Sequence, residues 1–194
     1  MPVTVTNLIQ GPADLYRGDF GAAEPTEADI SMDVEDTTVA ASWTDLGGTQ
    51  DGVTLTLEQE YAELEVDQIV DVPESRLTKR VFTIKTNFAE PTLENFKVAA
   101  NGGTITAGAT SKKYTPAMDN SAVSPDYSAL LFDGIAPASL RRRVIARKVL
   151  NTAAVEQPAQ KDGQTLFPVE LKGHYVSKSI PPFDYTDELP PVAP

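Results

Sequence analysis

Glu63, Glu65, Asp67 and Asp71 recur at even spacings within residues 61–72, with Leu64, Val66, Val70 and Val72 at the alternate positions. If the segment is a strand, its side chains alternate between two faces, one acidic and one apolar. Four like charges on one face repel each other. The plainest explanation is a half-exposed strand with a solvated face. A sharper one is a surface that faces a polyanion without holding it. A second charged run, Arg141, Arg142, Arg143, Arg147 and Lys148, puts five basic residues within eight positions. As a strand these divide between both faces, which argues against a single phosphate-tracking stripe. Pairing with acids of the same chain, pairing with acids of a neighbouring subunit, and contact with nucleic acid are the three readings, in that order.

Catalytic signatures are not found. The chain has no phosphate-binding GxxxxGK[ST] loop, no GxGxxG and no GxSxG. His174 is the single histidine and there is no cysteine. Disulfides, thiolate metal sites and cysteine nucleophiles are therefore excluded, and a lone strand histidine is more often structural than catalytic. A carboxylate pair is not excluded by counting, but nothing marks one pair above the rest. The expectation is a non-enzymatic protein with no metal and no cofactor. The net charge of −12 over 194 residues repels phosphates as a whole. No stretch approaches the ~20 apolar residues of a membrane span, and the first residues lack a secretory pattern.

The elements that carry these residues are mostly strands. Short runs rich in Val, Thr, Ile and Leu alternate with Gly, Pro, Asp and Asn. Strands are expected over residues 3–6, 15–17, 53–57, 61–72, 79–88, 128–132, 140–150 and 165–178. The reversal between the fourth and fifth is placed at residues 73–78. In the last strand Phe167, Val169, Leu171 and Tyr175 share one side. One helix is expected over residues 90–99, with Pro91 in its first turn, Leu93 and Phe96 on one face, and Asn101-Gly102-Gly103 as its stop. Residues 21–36 read as an acidic surface loop, 45–52 as a turn-rich segment around Gly47, Gly48 and Gly52, and 102–126 as a long irregular excursion. Residues 1–180 form one domain in this reading, and the proline-rich residues 181–194 an extended arm or tail.

The order of these segments resembles the major tail, or tail tube, proteins of siphophages. The opening Leu8-Ile9-Gln10-Gly11-Pro12-Ala13-Asp14-Leu15-Tyr16 is similar to that family's first motif. Gly21-Ala22-Ala23-Glu24-Pro25 stands where the family has a small-residue turn. Trp43-Thr44-Asp45-Leu46-Gly47-Gly48-Thr49 is similar to its Trp-x-x-Leu-Gly-x-Thr segment. Glu63-Leu64-Glu65-Val66-Asp67-Gln68, and Arg76-Leu77-Thr78-Lys79-Arg80 through Glu90-Pro91-Thr92-Leu93-Glu94-Asn95, resemble its central region. The resemblance covers most of residues 3–100 and rests on order and combination.

It implies a mainly β subunit, β-sandwich-like with one flanking α-helix, whose inner sheets join into a β-barrel within a hexameric ring. It implies stacking of rings into a tube in the virion, assembly in the host cytoplasm, and tape-measure and tail-tip proteins as partners. DNA would pass through the lumen without specific binding, and no membrane is involved. Glu63, Glu65, Asp67 and Asp71 are then expected to line the lumen, and the five basic residues to meet a neighbouring subunit. The alternatives are a virion decoration β-sandwich, favoured by exposed aromatic clusters, and a β-fold enzyme, favoured by two close acids in a deep pocket.

Overall fold

Residues 128–132, Ser-Ala-Leu-Leu-Phe, are apolar on both parities, the mark of a strand covered on both faces. In the computed structural model, which describes residues 5–9, 11–118, 124–159 and 161–190, this run lies within a large antiparallel sheet. The elements are β1 (Asp14–Asp19), β2 (Trp43–Asp45), β3 (Thr49–Leu64), β4 (Glu74–Phe88), α1 (Leu93–Ala99), β5 (Thr104–Ala107), β6 (Lys112–Thr115), β7 (Ser128–Ile135), β8 (Arg141–Asn151), β9 (Phe167–Gly173) and β10 (Phe183–Asp187). The sheet runs β2-β1-β7-β8-β9-β4-β3, with β10 pairing β8 beside β9, while β5 and β6 form a separate hairpin. Among the described residues it is mainly β with one α-helix, as the pattern of short apolar runs and turn residues predicts. Among the described residues the sheet has two open ends, β2 and β3, and does not close into a barrel.

Two apolar clusters sit on opposite faces. Leu15, Leu130, Val144 and Ala146 point to one face with Ile84, Phe88, Phe167, Val169 and Leu171. Tyr16, Ala129, Leu131 and Ile145, of the opposite parity, point to the other with Val34 and Trp43. A register shift between β7 and β8 moves Val149 onto the same face as Ala146. Val53 and Leu55 of β3 pack on the first cluster, so the sheet curls around it.

The helix covers that first face. Thr92 caps it, its hydroxyl accepting from the Asn95 amide at 3.1 Å. Phe96 packs edge-on to Phe167 and Tyr114, as its expected face requires. The innermost positions are Asn95 and Ala99, while Leu93 is only half-buried. The buried Asn95 amide donates to the Leu46 and Glu90 carbonyls and ties the helix to the end of β2. Asn101, in the left-handed region at φ 56°, ends the helix and exchanges hydrogen bonds with the Asn151 backbone.

Several elements differ from the sequence expectation. Residues 5–7 form a 3-10 turn, and the rest of the strand expected at 3–6 lies outside the described residues. Residues 49–52 begin β3 instead of ending a loop, because Asp51 and Gly52 take positive φ in a bulge opposite β4. The excursion at 102–126 contains the β5–β6 hairpin. The last long strand stops at Gly173, so Tyr175 lies beyond it and is exposed. Within the proline-rich end, residues 183–187 form β10, in register with β8 from Phe183↔Ala146 to Asp187↔Arg142, and residues 191–194 lie outside the described residues.

Candidate assembly surface

β4 has neighbours on both edges only from Thr83 to Phe88, where it pairs β9 and β3. Beyond Phe82 it pairs β3 alone. The outer halves of β3 and β4 therefore leave the sheet as a two-stranded ribbon. Every residue from 57 to 80 is exposed. From the Leu57↔Phe82 pair to the Leu64↔Glu74 pair, the ribbon covers roughly 23 Å at about 3.3 Å per residue.

One face of the ribbon continues the core. Val53 and Leu55 are packed inside, and Leu57 and Tyr61 follow at the same parity. Opposite Tyr61 stands Leu77. These three are 47%, 56% and 43% exposed, respectively. Glu58, Glu60 and Leu64 occupy the other face, with Lys79 opposite Glu60 and bonded to it at 2.8 Å. Thr78 is an extra residue between the Glu60↔Lys79 and Tyr61↔Leu77 pairs, and its hydroxyl donates to the Glu60 carbonyl. β3 is an end strand of sixteen residues, so its outer row of backbone groups has no sheet partner. A long edge of this kind templates pairing with another chain.

The acidic set falls differently from its expected strand. Glu63 is in β3, but β3 ends at Leu64. Glu65, Asp67 and Asp71 lie in the connection to β4, where the Ile69 amide donates to the Val66 carbonyl in a turn. The chain reverses over residues 65–73, and the expected turn at 73–78 is mostly β4. Alternation therefore does not put the four acids on one face. Nor do Leu64, Val66, Val70 and Val72 face the core: all four are exposed and Val70 fully so. The physical reason is that the support of β9 ends near Gly173, leaving no core of this chain beneath the tip. The sequence reading missed Leu57 and Leu77. Their signal was the continuation of the Val53–Leu55 parity outward.

The basic run is β8, as expected, and its partners are in its own chain. Arg143 and Asp133, 3% and 7% exposed, pair at 2.7 Å on the second face. Arg143 also donates to the Asp29 and Met32 carbonyls, and its Nε is buried without an acceptor. Arg141 holds Asp33 and the Met32 carbonyl. Arg142 grips Asp187 of β10 with both Nε and a terminal nitrogen. Arg147 takes Glu24 by two donors, and also Asp184. Lys148 lies over the Tyr127 and Phe20 rings, at 4.3 and 5.3 Å. Together they pin the acidic segment 20–42 and β10 onto the sheet. Gly18 lets the segment close, since a Cβ there would meet that of Ala22 at 2.9 Å. The Trp43 indole N–H donates to the Ala23 carbonyl at 2.8 Å.

Electrostatics follow the packing. Burial pushes the Asp133 carboxyl up, against the pull of Arg143. The hydrogen bond from Arg142 holds Asp187 below the usual carboxylate range. Burial and then Glu35 push the Tyr16 phenol up to about 12. His174 is held down by burial and then by Lys148 and Lys172. Its ring meets Tyr127 edge-on. Among the described residues no group of three His, Asp or Glu is arranged to hold a metal.

No protein-family model matches the chain, and no curated protein matches it. Two solved structures are similar to it over most of its length. One is the tail of an empty gene transfer agent particle with C6 symmetry, 9% identical, TM-score 0.39, covering 78% of this chain and 91% of that one. The other is the virion of a native gene transfer agent particle, 10% identical, TM-score 0.41, covering 84% and 99%.

Proposed function

We propose that this chain is a structural subunit of a phage-type virion, a non-enzymatic tail tube protein that assembles into hexameric rings which stack into a tube. The observation that carries the reading is the projecting β3–β4 ribbon. It exposes both faces, with Leu57, Tyr61 and Leu77 on the face that continues the core, and a long unpaired edge. In a lone subunit this is an aggregation hazard. In a ring, neighbouring ribbons take up each other's edges and the hazard disappears through closure. The segment order similar to siphophage tail proteins supports the same reading.

Tape-measure and tail-tip proteins as partners, and passage of DNA, belong to this proposal. Residues 57–80 carry seven acids and three bases, a net charge of −4. A lumen lined by ribbon acids such as Glu63 and Glu65 would repel the phosphate backbone and leave a hydrated gap. The five basic residues hold their own chain together. Any contact they make across a subunit boundary would come in addition to those bonds.

Electron microscopy of purified protein over rising concentration, with and without a tail-tip nucleus, tests the proposal. Rings or tubes are expected from the full chain and none from a variant with residues 58–79 replaced by a two-residue turn. A uniform monomer under all these conditions, or tubes formed by the shortened variant, would contradict it.

A further inference from the structure

Arg80 and Lys178 line one groove of about 440 Å³ between the start of the ribbon and the segment that leads into β10. Phe82 and Phe183, stacked at 4.3 Å, form its floor with Ile180. No acid lines it, although the chain has 28. Elsewhere Lys79, Lys85, Lys112 and the four arginines of β8 each hold a carboxylate. Among the described residues Arg80 and Lys178 hold none, as also holds for Arg76, Lys97, Lys113, Lys148, Lys161 and Lys172; these two differ in sharing one groove that no acid lines. Arg80 only approaches the Phe183 ring, at 5.9 Å. His174, also on the groove wall, lies in a positive field from Lys148 and Lys172. The groove is thus an apolar slot with an uncompensated positive rim.

The tip of the ribbon is its chemical complement. Residues 65–72 read Glu-Val-Asp-Gln-Ile-Val-Asp-Val, mixing acids with exposed apolar side chains. The tip of the same chain begins about 20 Å along a straight ribbon from Arg80, so it does not reach its own groove. We infer that the groove receives the ribbon tip of a second copy, with Asp67 and Asp71 meeting Arg80 and Lys178 while Ile69 or Val70 enters over Phe82 and Phe183. This contact is heterologous, a tip on one copy and a groove on the next, the kind that builds rings or continuous helical stacks. It rests on the self-assembly reading above and specifies where copies touch.

The absence of cysteine makes the contact measurable. Copies carrying Asp67→Cys are mixed with copies carrying Ser179→Cys, assembled, and oxidised mildly. The expected result is a cross-linked dimer as the main product on a non-reducing gel. Pairing Asp67→Cys with Ser111→Cys, on the distant β5–β6 hairpin, should give at least tenfold less. In parallel, Arg80→Glu with Lys178→Glu should stop assembly, and adding Asp67→Lys and Asp71→Lys to the same chain should restore it. Normal assembly with no selective cross-link overturns the groove contact and leaves the self-assembly reading standing. No assembly by the wild type overturns both. Retention of duplex DNA by the wild type, lost in the Arg80→Glu, Lys178→Glu variant, overturns the inference in favour of a nucleic-acid groove.

Discussion

β8 and the outer β3–β4 ribbon are both strand regions crowded with charge, and they end in opposite situations. The arginines of β8 lie under the 20–42 segment and against β10, so each finds a carboxylate within its own subunit. The ribbon runs past the last supporting strand and keeps its acids and Leu57, Tyr61 and Leu77 in solvent. The difference is not in composition. It lies in whether the same chain supplies a cover. A charged strand that its own chain covers becomes a clamp, and one without cover becomes a contact surface.

The comparison is most sharply tested at its most buried point. Arg143→Ala leaves the buried Asp133 carboxylate only Arg141, at 3.6 Å, and takes one donor from each of the Asp29 and Met32 carbonyls. Breaking such a pair costs about 3–5 kcal/mol, read as a lowered midpoint in urea unfolding. A loss under 1 kcal/mol would mean that the clamp is not holding the fold. Thr92→Ala removes the cap of α1 and should cost about 1 kcal/mol in the same assay.

The ribbon should behave in the opposite way. Tyr61→Ser with Leu77→Ser should change subunit stability by less than about 0.5 kcal/mol, because both side chains are exposed. Assembly should nevertheless fail by light scattering. Equal losses of stability and assembly would make the ribbon part of the core instead. The smallest effect concerns pH. Asp187 is held below its ordinary value of 3.8 by Arg142, so its stabilising share is complete above that value and is lost as pH falls through the lower folded value. Asp133 has the opposite sign: raised by burial, its share is present below 3.8 and declines as pH rises through its folded value. Acid should therefore loosen β10 before the sheet centre. An Asp187→Asn variant should flatten the acid limb of the stability curve below 3.8.

Much of the fold is legible in the sequence because two-residue alternation and turn chemistry are local. Phe167, Val169 and Leu171 alternate cleanly, and β9 follows. Leu15 and Tyr16 are adjacent, each belongs to a different cluster, and a strand covered on both faces follows. The helix was readable from the Leu93 and Phe96 face and the Asn101-Gly102-Gly103 stop, but it begins at Leu93, so Pro91 precedes its Thr92 cap instead of standing in its first turn. What local pattern could not carry is where support ends. Leu64, Val66, Val70 and Val72 alternate like core residues, but β9 stops short of them. The parity of Glu63, Glu65, Asp67 and Asp71 broke for the same reason, since the chain reverses within their run. The partners of Arg141, Arg142, Arg143 and Arg147 lie from 10 to 123 residues away, and only the folded chain brings them together. The groove at Arg80 and Lys178 joins positions nearly a hundred residues apart, and no spacing announces it.

The central claim is that the ribbon is finished by another copy. Hydrogen exchange on dilute and assembled protein measures this directly. The account predicts that amides in the outer halves of β3 and β4 exchange fast in the dilute subunit and at least tenfold slower after assembly. Those of β7 and β8 should be slow in both. Assembled particles whose ribbon amides exchange as fast as in the dilute subunit would contradict it.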